Sequence, residues 1–280
     1  MAEPRSEQAY RGSIDKLIGK IGAARGIDLG NYRRSYLERR VAARLRVVGL
    51  HSYRQYADLL DSNPAEYDEL MGTITINVTD FFRDKVVWDM LRPVLKQLIE
   101  QKRHGRSRTL RVWSAGCSTG EEPYSIAMLL LDLLGEHASD FIVSVTATDL
   151  DPDVLAVAER GIYDNERLRH IPPAYQVRFM RKLDAKRFEI APEVKRLVRF
   201  REQSLFEPAP FRVIDLVMCR NVFIYFDREQ QERVLENFWC SLTRGGYLVL
   251  GRSEKLAPAA AARFEAVVGR ERIYRRPTRA

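Results

Sequence analysis

Two acids follow a run of small residues in Trp113-Ser114-Ala115-Gly116-Cys117-Ser118-Thr119-Gly120-Glu121-Glu122, and a third, Asp149, closes the apolar run that begins at Phe141. These residue types suit the holding of a ligand. Small residues let backbone approach it, a helix N-terminus supplies free N–H groups, and an acid at the end of a second strand can hold ribose hydroxyls. Glu121 and Glu122 sit where a phosphate would otherwise go, which disfavours a pyrophosphate and favours a ligand with hydroxyls or positive charge. S-adenosylmethionine has that chemistry. Gly116 and Gly120 do not complete a G-x-G-x-x-G pattern, so a plain βα turn is the competing reading. For Asp149 the competing role is a helix cap, for which Asp151 is the better placed of the two.

The elements that must position these residues read as an open α/β sheet. Leu110 to Trp113 is apolar and β-prone, and Ser125 to Leu134 is a nearly continuous apolar run of helix formers, giving a βα unit. Phe141 to Thr148 is a second strand, followed by a helix from Pro152 to Arg160. Met180 to about Arg201 alternates in part and suggests a small antiparallel excursion before the sheet resumes near Leu197. Val213 to Cys219 is a fourth parallel strand, and its end runs through Asn221 and Tyr225 into a helix capped by Asp227, with Gln230 at the third helical position. Gly245-Gly246 turns the chain into the strand Tyr247 to Gly251, and Phe264 to Arg276 can close the sheet as a hairpin around Gly269-Arg270.

Upstream of the sheet, Ser13 to Met71 has a helical pattern. Leu37, Val41, Leu45 and Val48 make one buried stripe on a helix starting near Asn31 and stopping at Gly49. Arg39 and Arg46 lie opposite that stripe, and Arg33, Arg40 and Arg44 line one flank. Those arginines form either a solvated face or a docking surface for an acidic partner. Asn63-Pro64-Ala65-Glu66 reads as cap, proline at the first helical position and glutamate at the third. Thr73 to Asp84 breaks the pattern with β-branched residues. It spends Ile74, Ile76, Val78, Phe81 and Phe82 in a short span, so it should be packed, with Asn77, Thr79 and Arg83 held over a pocket. Lys85 to Glu100 returns to helix, kinked or restarted at Pro93, and Gln101 to Arg108 is a basic turn.

Composition narrows the class. A hydrophobic content of 45% with 30% charged residues is that of a globular chain, and no apolar run approaches the length of a membrane span. Met1 to Arg5 has no apolar region of the kind a signal peptide carries. Three cysteines, Cys117, Cys219 and Cys240, form no C-x-x-C pair, and their odd number argues for reduced thiols. His51, His104, His137 and His170 offer no metal-ligand spacing, so no metal is expected. The net charge of +8 draws the protein toward something acidic without saying what.

Four stretches jointly resemble the CheR family of chemotaxis receptor methyltransferases: Asn77 to Arg83, Trp113 to Ser125, Ala147 to Asp151 and Cys219 to Asp227. Their order and spacing match over nearly the whole chain. The resemblance implies an α/β protein, a Rossmann-like class I methyltransferase domain with a small antiparallel β-subdomain, preceded by a small all-α N-terminal domain. Residues 1–72 are then a helical substrate-docking domain, 73–84 a linker contributing to the cofactor site, and 85–280 the methyltransferase domain with an insertion at about 180–201.

The activity implied is transfer of methyl from S-adenosylmethionine to glutamate side chains on the helical cytoplasmic domain of chemoreceptors, leaving S-adenosylhomocysteine. Carried over by position, Asn77, Thr79, Arg83, Glu122, Asp149, Asn221 and Val222 contact the cofactor, beside Gly116, Ser204 and Leu205. The family often has asparagine where this chain has Ser204. Arg83 and Tyr225 are the candidates for catalysis, Tyr225 having core packing as its alternative. Arg33, Arg39, Arg40, Arg44 and Arg46 then become the receptor-docking face. Members that tether to a receptor's C-terminal pentapeptide share a glycine-containing loop in the β-subdomain, and Met180 to Phe200 has no glycine. A tether-independent, cytoplasmic monomer is expected, with no nucleic acid bound and no insertion into a membrane.

Two rival functions stand beside this one. A nucleic-acid methyltransferase commonly places Asn/Asp-Pro-Pro-Tyr after the fourth strand to hold a flipped base, where this chain has Arg220-Asn221-Val222-Phe223. A non-catalytic cofactor-binding scaffold or sensor would tolerate loss of the acids and of Arg83 and Tyr225, all of which are present.

Overall fold

Apolar residues at helical spacing build the first part of the chain. In the computed structural model, which describes residues 5–25, 28–75, 79–105 and 107–278, α1 (Arg5–Arg25) buries Ile14, Leu17 and Ile21. α2 (Arg34–Val47) buries Leu37, Val41 and Leu45. α3 (Tyr53–Ser62) is capped by Ser52, whose side chain accepts from Gln55 N, and α4 (Ala65–Ile74) completes the group. These helices share one hydrophobic core. Gly49, at φ +71°, ends α2: its N–H donates to Arg46 O while Leu50 N donates to Leu45 O, the paired bonds of a Schellman turn.

The chain divides into two compact units, Met1–Asn77 with Ile224–Gln230, and Val78–Phe223 with Gln231–Ala280. Two expectations change here. α4 runs through Thr73 and Ile74, past the expected start of the linker at 73. A seven-residue segment near the fourth strand's end, Ile224–Gln230, packs with the N-terminal helices.

In the second unit α5 (Lys85–His104) passes through Pro93 without ending, so part of the expected basic turn is helix. β1 (Thr109–Ala115) leads into α6 (Glu121–Leu134), and β2 (Ile142–Asp149) into α7 (Pro152–Arg160). Asp151 caps α7 by accepting from Asp153 N and Val154 N, as its place before Pro152 predicts. A three-stranded antiparallel sheet follows, ordered β3 (Ile162–Asp164), β5 (Arg187–Ile190), β4 (Met180–Lys182), with α8 (Pro173–Phe179) between its first two strands in sequence. This excursion therefore starts about twenty residues before Met180, because Ile162 to Asp164 pairs with Arg187 to Glu189.

α9 (Pro192–Lys195) returns the chain to the main sheet at β6 (Val198–Glu202). β7 (Ile214–Cys219), α10 (Arg228–Ser241), β8 (Leu242–Leu250), α11 (Pro258–Ala261), β9 (Glu265–Val268) and β10 (Ile273–Arg275) complete it. The seven strands are ordered β6-β2-β1-β7-β8-β10-β9. β6, β2, β1, β7 and β8 run parallel, and β10 is antiparallel to both neighbours. Chain order reverses between β1 and β7, which is where open α/β sheets bind ligands beyond their carboxyl ends.

Candidate active site

The loops that leave β1 and β7 converge at that reversal. Gly116 has φ +77°, and a Cβ added to it would lie 2.7 Å from Val222 Cγ2, so glycine is required both for the backbone and for the approach. Gly116 N and Cys117 N both donate to Thr148 O, at 2.8 and 2.9 Å, which ties the β1 loop to the end of β2. Asp149 completes the tie: its Oδ2 accepts from Ser118 N at 2.8 Å and its Oδ1 from Leu150 N and Asp151 N at 2.8 and 3.2 Å. Burial pushes the Asp149 carboxyl up from its ordinary value, and those N–H groups pull it back.

Glu122, in the first turn of α6, lies under the same loops. Its Oε1 accepts from Ser114 Oγ at 2.8 Å, and its Oε2 is 3.6 Å from Arg220 Nη1. Burial raises this carboxyl too, against the nearby cations of Arg220 and Arg83. Asn221, at φ 63°, donates its backbone N–H to Glu254 Oε2 at 3.0 Å. Beyond β6, Gln203 N donates to Asp149 O at 3.0 Å and carries Ser204 and Leu205 toward the β2 end. Ser204 Oγ accepts from Phe206 N at 3.3 Å, and Leu205 O accepts from Asn237 Nδ2 at 2.9 Å.

Arg83 sits between two non-glycine residues of positive φ, Phe82 at 49° and Asp84 at 58°. Such a backbone costs on the order of 1–3 kcal/mol per residue and persists only where the surroundings enforce it. Here they do. Phe82 N donates to Ser125 Oγ at 3.0 Å, and the Arg83 carbonyl accepts from Trp88 Nε1 and from Arg220 Nη2, each at 2.9 Å. Thr79 O accepts from Arg167 Nη1 at 3.0 Å, and the same guanidinium nitrogen lies 3.2 Å from Glu121 Oε1. Asn77 lies outside the described residues. Thr79, Arg83, Gly116, Glu122, Asp149, Ser204, Leu205, Asn221 and Val222 all belong to the second unit, whereas Tyr225 belongs to the first.

Two profiles of one family match this chain: the all-alpha domain of the CheR methyltransferases over residues 13–75, and their SAM-binding domain over residues 77–273. The chain belongs to the CheR methyltransferase family. A chemotaxis protein methyltransferase of Klebsiella aerogenes is 38% identical over 266 residues, covering 91% of this chain and 85% of its own length. One from Borreliella burgdorferi is 32% identical over 248 residues, covering 87% of this chain and 88% of its own. The Escherichia coli protein of the same name is 36% identical over 242 residues, covering 83% and 80%.

The donor set fits the cofactor of a CheR methyltransferase. S-adenosylmethionine brings a sulfonium, an ammonium and a ribose diol. The site offers the carboxylates of Glu122 and Asp149, beside a glycine whose missing Cβ lets Val222 close against the β1 loop. Burial drives the thiols of Cys117 and Cys219 well above their ordinary value, so neither is a thiolate nucleophile near neutral pH. Among the described residues, no His, Cys, Asp and Glu cluster could hold a metal, and no helix is long and apolar enough to cross a membrane.

Two organising residues of this CheR methyltransferase went unrecognised in sequence. Arg220, with 2% of its side chain exposed, reaches Arg83 O, Asp84 Oδ2 (2.7 Å) and Glu122. Glu254, 4% exposed, collects the N–H groups of Gly251, Asn221 and Phe223 at 2.6, 3.0 and 2.7 Å and so shapes the loop after β7. Neither follows from periodicity. Arg220 gives one sequence signal, a charge directly after an apolar strand, which must find a partner when buried; Glu254, between Ser253 and Lys255 in a polar loop, gives none.

The arginines of α2 part company. Arg39 and Arg46 are exposed. Arg44 does not stand open on a flank as expected: Nε and Nη2 bond Glu66 at 2.6 and 2.9 Å, and Nη1 lies 3.3 Å from Glu69. Glu66 is 4% exposed and also accepts from Tyr56 Oη at 2.7 Å, so it serves this pair and not the expected cap. Arg40 stacks over the Tyr36 ring at 5.1 Å, and Arg33 Nε donates to Phe226 O at 2.6 Å.

Proposed function

We propose that this protein transfers the methyl group of S-adenosylmethionine to glutamate side-chain carboxylates on the cytoplasmic helical domain of chemoreceptors. The observation that carries the reading is the meeting of Gly116, Asp149 and Val222 at the sheet's order reversal, with the half-buried Glu122 held beside them by Ser114. In it, Asp149 and its neighbours hold the adenosine portion, with Thr79, Ser204, Leu205, Asn221 and Val222 lining the site. Glu122 faces the cationic portion. Asn77 is assigned by resemblance alone.

When bound, the cofactor supplies an electrophilic methyl on a sulfonium. The chain has little else to provide, because a glutamate is already ionised at neutral pH, with a reference pKa of about 4.3, and needs no general base. Charge disappears as the ester forms, so a site sheltered from water favours the transition state. What remains is to hold one carboxylate oxygen in line behind the methyl carbon. Arg83, displayed on its enforced backbone, orients the acceptor carboxylate. Tyr225 is carried over as its companion from the family's motif.

Arg39 and Arg46 are the docking cations for an acid-rich receptor helix, with Arg40 beside them. The turn between β4 and β5 is built by Asp184, whose Oδ1 accepts from Lys186 N and Arg187 N at 2.9 and 2.8 Å. It therefore closes without the glycine of tethering relatives, and we take the enzyme to act without a pentapeptide tether, as a cytoplasmic monomer. Micromolar binding of such a pentapeptide would overturn that part.

The decisive experiment has two stages. Calorimetry with S-adenosylmethionine should give micromolar binding that Asp149→Ala abolishes. Labelled methyl should then pass to a receptor cytoplasmic fragment and leave as methanol in mild alkali, as a carboxyl ester does and an N-methyl group does not. Binding without transfer to any acidic helical receptor fragment would leave a cofactor-binding scaffold instead.

A further inference from the structure

Ile224–Gln230 follows the fourth parallel strand in sequence, yet it belongs to the helical unit, and its contacts there are specific. Arg33, which stands at the N-cap of α2, donates its backbone N–H to Tyr225 O at 2.8 Å and its Nε to Phe226 O at 2.6 Å. The Tyr36 ring lies 4.8 Å from that of Tyr225, tilted by 45°, and the Tyr32 ring meets Phe226 edge-on at 5.5 Å. Tyr36 is itself locked: it is 4% exposed, and its hydroxyl donates to Ile74 O.

We infer that Arg33 and Tyr36 are positioning residues for Tyr225, so that the docking helix also sets the geometry of methyl transfer. Two consecutive carbonyls held by one residue fix the backbone on both sides of the Tyr225–Phe226 peptide. The Tyr36 ring then restricts where the Tyr225 side chain can turn. A displacement of about 1 Å in a reacting constellation can cost on the order of a hundredfold in rate, so such support is a contribution to kcat and not to receptor affinity. Arg33 was expected to face the receptor; it stays exposed, while its backbone N–H and its Nε hold the carbonyls of Tyr225 and Phe226. The inference rests on the proposed role of Tyr225.

Arg33 offers an unusually clean test. Its φ of −54° already suits proline, and Tyr32 before it is extended at φ −94°, ψ 150°, as a residue preceding proline prefers. Arg33→Pro therefore deletes both bonds with little change of path, whereas Arg33→Ala deletes only the side-chain bond. The full-length protein is assayed with a receptor cytoplasmic fragment, as wild type, Arg33→Ala, Arg33→Pro, Tyr225→Phe and the Arg33→Pro/Tyr225→Phe pair.

Arg33→Pro should lower kcat about tenfold or more, with receptor KM and cofactor Kd within twofold of wild type, and Arg33→Ala should lie between. Arg33→Pro should cost nothing further on the Tyr225→Phe background. Additive losses, an unchanged kcat, or a rise in KM alone would each defeat the inference, the last by making Arg33 a docking residue. Should Arg33→Pro lose its thermal transition, Tyr36→Leu gives the same reading, with Tyr36→Phe restoring part of kcat; an unaffected Tyr36→Leu enzyme defeats the inference again. Full activity in Tyr225→Phe removes the parent assignment and this one together. An impaired Tyr225→Phe beside a normal Arg33→Pro removes this one alone.

Discussion

Gly116 and Val222 leave no space for a methyl group between them, since a Cβ on the glycine would stand 2.7 Å from Val222 Cγ2. Gly116→Ala should then suffer twice: about 1–2 kcal/mol for alanine at positive φ, and about 1–3 kcal/mol for the overlap. Calorimetry should show cofactor affinity falling at least tenfold. Adding Val222→Ala relieves the overlap and leaves the backbone strain, so the double variant should recover only part of the loss. Recovery to wild type would mean that φ at 116 is not held as described.

Glu254 is the hub of the loop after β7. Glu254→Gln keeps its size but turns an NH2 group toward N–H donors, leaving buried donors unmatched at a cost of about 1–3 kcal/mol each. Stability and cofactor affinity should fall together, by several degrees in Tm and roughly tenfold or more in Kd. Loss of stability alone, with Kd unchanged, would show that the Asn221–Phe223 backbone does not shape the cofactor site.

The α2 arginines should separate into two phenotypes. Arg39→Glu with Arg46→Glu should raise receptor KM at least fivefold at low salt, with the difference shrinking as ionic strength rises. Arg44→Ala should instead destabilise the helical unit by about 3 kcal/mol, because it strands the buried Glu66 carboxylate. Thermal melting beside receptor titrations distinguishes them. A stable Arg44→Ala enzyme with a raised KM would return Arg44 to the docking face.

Protonation should oppose cofactor binding. Burial raises Glu121, Glu122, Asp149 and Glu254 above their ordinary range, so the native state retains protons that the unfolded chain has already released above about pH 4. Their contribution to stability is therefore fully present at low pH and is lost as pH rises through the folded pKa values. A bound sulfonium favours the charged carboxylates, so affinity should climb over that window with proton release. Calorimetry in buffers of different ionisation enthalpy reads this directly; a flat affinity with no proton release as pH rises from the ordinary carboxylate range to neutrality would contradict it. Glu66 runs the opposite way. Arg44 holds it below its ordinary value, and its stabilisation is present above about pH 4.3 and lost as pH falls through the folded value.

Much of the sheet was legible because burial of parallel strands leaves continuous apolar runs, and Gly116, Asp149 and Asn221 stand where such runs end. Asp151 before Pro152 was equally plain, since a cap acts within three residues. The partners of Arg220 and Glu254 were not legible: Arg220 bridges to Asp84, 136 residues earlier, and Glu254 to Asn221, 33 residues earlier. Periodicity reports which face of an element is buried and carries nothing about which charge meets which. The same limit hid Arg44, whose helical-wheel position is open until Glu66 on α4 closes it. β3 was missed because three residues are too few to show alternation.

The membership of Ile224–Gln230 in the helical unit bears on how relatives may be recombined. A chimera that exchanges only the amino-terminal helices would present foreign side chains to Tyr225 and Phe226, and would lose rate even if its new basic face recognised the receptor well. Grafting specificity from one family member to another should therefore transplant both pieces, the helices and the heptapeptide, as one discontinuous cassette.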